Sequence, residues 1–404
     1  MNSPDTPTWI ACLTPPGQSA LATLGVYGPR AWGALRMLFR RRSAEELPEK
    51  PANGRFWLGR IGGDMADEVV VAVKQSEPEP WLEVHSHGGR EVVRFVIELF
   101  REQGLQLCSW EDFLRKTSAD ALRAEAAIAL AQAATLRTAG ILLDQQQGAL
   151  GPALEEIRQS LERGETSVAE AQLARLGRYA TVGRHLTQPW RVVVAGAPNV
   201  GKSSLVNALT GYPRCIVAAT PGTTRDVVTT RLALDGWLIE LSDTAGQRSG
   251  AEALEEQGIR RARTSAAKAD LCLWLLDASA LPVWPSEPLT AVQYVISKSD
   301  LPLAWDTASA PDAVRVSSVT GAGLAGLCAT LIARLVPNPP PPGTAVPFTS
   351  HLCDGVEAAL RVLAAGDAAE AHGIVASLTS SARQSAFSLA ITSNGGLPST
   401  NESL

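Results

Sequence analysis

An apolar run, Val192 to Ala195, leads directly into Gly196-Ala-Pro-Asn199-Val-Gly201-Lys202-Ser203, and no other stretch limits the possible folds so strongly. The spacing Gly-x4-Gly-Lys-Ser calls for a short buried strand, a glycine-rich turn and a helix that starts at Lys202. Glycines let the backbone wrap closely around a phosphate, so that main-chain N–H groups and the positive helix end face it. In such a P-loop Lys202 reaches the β- and γ-phosphates and Ser203 ligates Mg²⁺, while Gly201 and Ser204 complete the cradle.

The segments that follow turn a phosphate site into a guanine-nucleotide site. Thr220-Pro-Gly-Thr223-Thr224-Arg-Asp226 comes next, where a nucleotide switch places the loop that senses the γ-phosphate, and a threonine there gives its hydroxyl to Mg²⁺. The predicted strand Trp237 to Ser242 ends in Asp243-Thr-Ala-Gly246. Asp243 suits a role behind the Mg²⁺ and the Gly246 N–H suits the γ-phosphate. Val295-Ile-Ser297-Lys298-Ser-Asp300 follows another apolar strand. Asp300 accepts the N1–H and N2 amino hydrogens of guanine, a donor pair that adenine lacks, and the stem of Lys298 packs over the base. Ser297 stands where Asn or Thr is more usual, and its hydroxyl is still able to hold the P-loop. Ser317 and Ser318, ahead of Gly321-Ala-Gly323, offer a backbone N–H to the guanine oxygen. Each element ends a predicted strand, which in an open α/β sheet is the edge that binds ligands.

At 404 residues, with 45 % apolar and 19 % charged residues, the chain is a globular protein of more than one domain. It contains no apolar run long enough to span a bilayer, and its start, Met-Asn-Ser-Pro-Asp, is no basic apolar leader, so a cytoplasmic protein without a membrane anchor is expected. The six cysteines are scattered without a CxxC pair, which disfavours a cysteine-built metal site. A net charge of −5 disfavours a globally nucleic-acid-binding surface. Arg36-Met-Leu-Phe-Arg-Arg-Arg42 reads either as a local basic patch or, more simply, as the solvated face of an amphipathic helix.

Residues 1–108 alternate short strands (Trp9–Thr14, Ala22–Tyr27, Glu68–Val73, Trp81–Ser86) with helices (Pro29–Arg40, Arg90–Glu102), an α+β pattern. Residues 109–188 carry the helical apolar period, with long helices expected over Ala119–Leu143 and Gly151–Leu176. The nucleotide segment spans 189–337 and stops at the stiff run Pro337-Asn-Pro-Pro-Pro-Pro342. Residues 344–392 read as helical again, and 393–404 as a polar, disordered tail. The expected architecture is therefore multidomain α/β: a Ras-like α/β G domain inserted in a helical domain, preceded by a small α+β N-terminal domain. Movement near Thr224 would then pass to the helical part.

With these residues in place the chain resembles the tRNA-modification GTPases of the MnmE (TrmE) family over nearly its whole length. The resemblance rests on Thr14-Pro-Pro-Gly17 with Gly28-Pro29, on Glu83-Val-His-Ser-His-Gly-Gly89, and on the G-domain motifs that other bacterial GTPases share. It implies a homodimer joined through the N-terminal domains, which would bind a formyl-tetrahydrofolate donor. It also implies a flavin-dependent partner (MnmG type) acting with this chain on the wobble uridine of tRNA. K⁺ is implied beside the phosphates, with Asn199 as its matching ligand, supplying positive charge as an arginine finger does elsewhere. For hydrolysis the family's water-orienting glutamate matches Glu255, while Gln247 sits where Ras-type GTPases hold the water. The chain departs from the family at Gln18 and Gly25, where arginines are usual, in shorter helical segments, and in ending Pro398-Ser-Thr-Asn-Glu-Ser-Leu404 instead of Cys-Ile-Gly-Lys. These departures leave a second reading, a GTP-controlled switch or assembly factor that has lost the modification chemistry. His85 and His87 read as turn-stabilising or as ligand contacts, and Trp274 and Trp284 as packing residues or base-stacking platforms.

Overall fold

The computed structural model describes residues 6–15, 17, 19–43, 45–118, 120–213, 215–217, 229–243 and 269–379, with the side chains of 215–217 and 243 left aside. These fall into two compact units, one within Met1–Ile128 and one spanning Ala129–Thr379.

The first unit is built on a seven-stranded sheet of order β3-β4-β5-β6-β2-β1-β7. Its strands are β1 (Trp9–Cys12), β2 (Leu21–Tyr27), β3 (Phe39–Arg41), β4 (Phe56–Gly62), β5 (Ala66–Gln75), β6 (Trp81–His87) and β7 (Gln106–Leu107). Neighbours run antiparallel except β1 and β7. One sheet face is apolar at alternate positions and takes the helices Ala31–Leu38 and Arg90–Glu102. Trp32, Leu35, Val96 and Phe100 of these helices pack with Ile10, Leu24, Val26, Val71, Leu82 and Val84 in one core. The helix Trp110–Thr117, capped by Ser109 accepting from the Asp112 N–H at 3.1 Å, lies over β1 and β2. Its fully buried Phe113 meets Tyr27 and Trp81 edge-on at 6.4 and 6.2 Å. The unit therefore runs past residue 108, because burying Phe113 is worth roughly 2–3 kcal/mol that a boundary there would forfeit. The expected helix Pro29–Arg40 stops at Leu38: Phe39 turns into the core, and Phe39–Arg41 pairs with β4 as an edge strand. The Arg36–Arg42 run is accordingly split between helix and strand, and is not one helical face.

The helices that follow are shorter than expected, and the second unit begins within the first of them, at Ala129. The span Ala119–Leu143 breaks because Thr135 takes extended geometry and accepts from the Thr138 N–H, giving Ala121–Ala131 and Leu136–Gln146. Gly151–Leu176 breaks at Gly164 (φ 73°), giving Leu150–Glu162 and Thr166–Gly177. The short helix Ala180–Arg184 precedes the nucleotide segment, and Ser350–Ala364 and residues 368–379 are helical beyond it. Sequence-distant partners close this part. Arg184 donates to Glu357 at 2.9 and 2.7 Å and to Asp354 at 2.6 Å. Gln145 donates to Thr344 O at 3.0 Å and accepts from the Val346 N–H at 3.1 Å.

Between these helices lies a second seven-stranded sheet, β14-β13-β12-β8-β11-β10-β9. Its strands are β8 (Trp190–Gly196), β9 (Cys215–Val217), β10 (Thr229–Leu234), β11 (Trp237–Asp243), β12 (Leu271–Asp277), β13 (Val292–Ser297) and β14 (Val314–Arg315). From β14 through β11 all pairs are parallel, and β10 and β9 add antiparallel. Central β8 is apolar and buried without a break from Val192 to Ala195, the pattern of a strand covered on both faces. The β10–β11 hairpin turns at Asp235-Gly236, both with positive φ. Its turn is held by Thr135 Oγ1 donating to Gly236 O at 2.5 Å and by Arg137 beside Asp235 at 3.3 Å.

Candidate functional site

The carboxyl ends of β8, β11, β13 and β14 lie along one edge of the parallel sheet, so sequence-distant loops converge there. At the end of β8, Gly196 has φ 137°, and a Cβ on it would stand 2.7 Å from Leu275 O of the neighbouring strand. Asn199 (φ 59°) and Gly201 (φ 101°) carry the chain around the turn in left-handed conformations. Gly201 caps the helix Lys202–Thr210 without a side-chain hydrogen bond. The N–H groups of the first turn and the positive helix end thus face the loop, the arrangement that binds an anion. Buried Lys202 folds back over the loop, donating to Gly196 O at 3.1 Å and Ala197 O at 2.8 Å. Ser203 and Ser204 are exposed on the first helical turn.

The loops expected to read the base gather where β12, β13 and β14 end. Ser297 is buried, and its hydroxyl donates to Val200 O of the P-loop at 2.7 Å, with Leu276 O at 3.2 Å. Lys298 follows in a left-handed conformation (φ 54°), and its ammonium donates to Asp277 Oδ2 at 2.6 Å. Asp277 Oδ1 also accepts from the Ser279 N–H (2.8 Å) and hydroxyl (2.7 Å). Burial pushes the Asp277 carboxyl up, but the hydrogen bonds from Lys298 and Ser279 outweigh it and hold it below its ordinary value. Asp300 is exposed two residues beyond Lys298. Ser317 is fully buried, and its hydroxyl accepts from the N–H groups of Val319 (3.2 Å) and Thr320 (3.1 Å). Its own N–H is spent on Ala322 O at 2.9 Å, so the half-buried Ser318 is the nearer donor for a ligand.

The fold thus brings Asn199, Gly201, Lys202, Ser203 and Ser204 together in one loop and helix start, and ties that loop to Ser297. Asp243 ends β11 in register with Val194 of β8. Thr223, Thr224, Gly246, Gln247 and Glu255 lie outside the described residues. Asp277 and Trp305, whose indole donates to Asp277 O at 2.7 Å, were not singled out in the sequence. The available signal was that Asp277 ends an apolar strand and pairs in register with Ser297. Trp284 meets Tyr294 and Trp305 edge-on at 5.3 and 6.3 Å, and Trp274 donates to Val283 O at 2.9 Å, so both are packing residues. In the first unit His85 bonds Thr23 Oγ1 at 3.0 Å and His87 bonds Asp67 at 2.6 Å, so both histidines brace strands and not a turn. Gly25 sits beneath Phe113, and a Cβ there would stand 2.5 Å from the ring. No helix among the described residues is long and apolar enough to cross a membrane.

A glycine-built phosphate loop, a buried lysine and the Ser297–Asp300 loop on one edge of a mostly parallel sheet are the arrangement of a P-loop GTPase. Residues 191–302 match the family model of the 50S ribosome-binding GTPase. The tRNA modification GTPase MnmE of Phenylobacterium zucineum is 33 % identical over 374 residues, covering 81 % of this chain and 82 % of its own. Its counterpart from Thermotoga petrophila is 33 % identical over 304 residues (68 % and 67 %), and that from Thermus thermophilus 32 % over 349 residues (78 % and 79 %). The chain belongs to the MnmE family of tRNA modification GTPases, and it is a GTP-binding, GTP-hydrolysing enzyme.

Proposed function

We propose that this GTPase drives modification of the wobble uridine of tRNA together with a flavin-dependent partner of the MnmG type. The observation that carries the reading is the match to MnmE relatives over 81 % of the chain, well beyond the G domain. In this reading Lys202 and the first-turn N–H groups hold the β- and γ-phosphates, and Ser203 with Thr224 ligates Mg²⁺, backed by Asp243. The donor set fits that ion: hard oxygen ligands and phosphates are what Mg²⁺ takes. Asn199, on the outer side of the loop, ligates K⁺. Thr223 and Gly246 meet the γ-phosphate, and Glu255 or Gln247 orients the attacking water. Asp300, Lys298 and Ser318 read guanine, while Ser297 holds the P-loop in place beneath it and Ser317 shapes the last loop.

The G domain, 189–337, is read as an insertion into one helical domain, expected over 109–188 and 344–392 and represented among the described residues by the helices within 129–188 and 350–379. The Arg184 bridges to Asp354 and Glu357 and the Gln145 bonds to Thr344 and Val346 support this. The N-terminal α+β domain, expected over 1–108 and joined by the Trp110–Thr117 helix that packs on it, is read as the homodimer joint and as the site of a tetrahydrofolate derivative. Where the family has an arginine this chain has Gly25, and Phe113 fills the space above it, so the folate site is reshaped. Nucleoside analysis of tRNA from a strain lacking this gene tests the proposal. Loss of the wobble-uridine modification is expected, and fully modified tRNA would overturn the reading while leaving the GTPase assignment intact.

A further inference from the structure

We infer that Asp277 is a positioning residue for guanine recognition: its carboxylate, anchored by Ser279, fixes the Lys298 side chain that packs over the base. The inference rests on the assignment of Lys298 and Asp300 to the guanine. Three features of the loop lead to it. First, Ser297 is buried and its hydroxyl points at Val200 O at 2.7 Å. It braces the P-loop and leaves the base to its neighbours. Second, Lys298 adopts φ 54°, a conformation that is unfavourable for a residue with a Cβ and that persists only when its surroundings hold it. Third, the ammonium is held at 2.6 Å by a carboxylate that is itself fixed on both sides. Ser279 donates twice to Oδ1, and the Trp305 indole and the pairing with Ser297 fix the main chain of Asp277.

A lysine stem has four rotatable bonds, and freezing them costs entropy each time a base binds. Tethering the ammonium at Asp277 makes most of that loss before the nucleotide arrives, so the methylenes are already extended when guanine reaches them. The pair is partly buried, with side-chain exposures of 35 % for Lys298 and 15 % for Asp277. Solvent therefore screens it less than a surface bridge. Asp277 touches no part of the nucleotide in this scheme and acts only through Lys298.

The test is competition of GTP, inosine triphosphate and ATP against a fluorescent GDP on the full chain. Asp277→Asn keeps the shape and an oxygen for Ser279 but loses the charge that holds Lys298. It should weaken GTP and inosine triphosphate alike by about tenfold, the scale of one charge-assisted contact. The ratio between these two nucleotides, which Asp300 sets, should stay as in the wild type. Asp277→Glu should restore most of the affinity, and Ser279→Ala should change it by less than about twofold. In a Lys298→Met background, which keeps the apolar stem and removes the charge, Asp277→Asn should add nothing. Wild-type affinity in Asp277→Asn, or an undiminished loss in the Lys298→Met background, overturns the inference. If Lys298→Ala, which removes the stem as well as the charge, binds as the wild type does, the assignment of Lys298 to the base fails as well, and the two failures are thereby told apart. Should Asp277→Asn not fold, Asp277→Ser, which also lacks the charge, carries the same comparison alone and in the Lys298→Met background.

Discussion

Two sets of glycines, one in each seven-stranded sheet, meet different needs. In the parallel sheet, glycines such as Gly196 and Gly201 stand at a strand end and a helix start, with positive φ, and let the chain turn through the phosphate loop. In the antiparallel sheet Gly25 lies mid-strand and gives up its own volume to the ring of Phe113. Parallel strands send every carboxyl end to one edge, so polar loops gather there; antiparallel strands alternate and gather nothing. One sheet concentrates chemistry at its edge, and the other concentrates packing on its faces.

That contrast predicts separable mutational effects. The largest belongs to the antiparallel sheet. Phe113→Ala should cost about 3–4 kcal/mol of unfolding free energy, from lost burial and the cavity left behind. Thermal unfolding of the full chain would register this, and GDP affinity should not change. If GDP affinity falls with it, the division between the sheets is wrong. In the parallel sheet, Lys202→Ala removes a buried cation aimed at the phosphate loop. It should lower affinity for GDP by roughly a hundredfold, from lost charge-assisted hydrogen bonds to phosphate. Equilibrium unfolding without nucleotide should shift by only about 1 kcal/mol, since the two carbonyls that lose its donation, Gly196 O and Ala197 O, belong to half-buried residues.

The smallest effect lies in the helices that flank the parallel sheet. Arg184→Ala should cost only about 1 kcal/mol, because its acidic partners are half exposed. Hydrogen bonding from Arg184 holds the Glu357 carboxyl below its ordinary value of 4.5. A group depressed in the folded state stabilises above its unfolded-state value and loses that contribution as pH falls through the folded one. The stability gap between wild type and Arg184→Ala should therefore be constant near neutrality and close below about pH 4.5. Denaturant titrations at several pH values measure it, and a gap that widens in acid would contradict the assignment.

The same contrast explains what the sequence made legible. A phosphate loop admits few residue types, so Gly196 to Ser203 declares itself, and the strands leading to Asp243, Ser297 and Ser317 follow from their apolar runs. Packing is degenerate by comparison. Strand β4 alternates as a strand should, but Phe56 and Leu58 lie on its exposed side and Gly59 interrupts its buried side. No hydrophobic pattern marked it, and the Arg36–Arg42 run was absorbed into a helix. The helical breaks at Thr135 and Gly164 depend on single-residue geometry that the apolar period does not record. Asp277 escaped notice because its role depends on a partner on the next strand, visible only once the register is known.

The bridges from Arg184 have a consequence in time. Its acidic partners lie 170 and 173 residues further along the chain. At the pace of ribosomal synthesis, roughly 5–20 residues per second, the first helices leave the ribosome on the order of 10–35 s before those partners exist. Throughout that interval the whole G domain is being made. The nucleotide-binding sheet therefore has time to fold before the helices that bracket it in sequence are able to close, so a slow or misfolded G domain would delay completion of the very part that carries it.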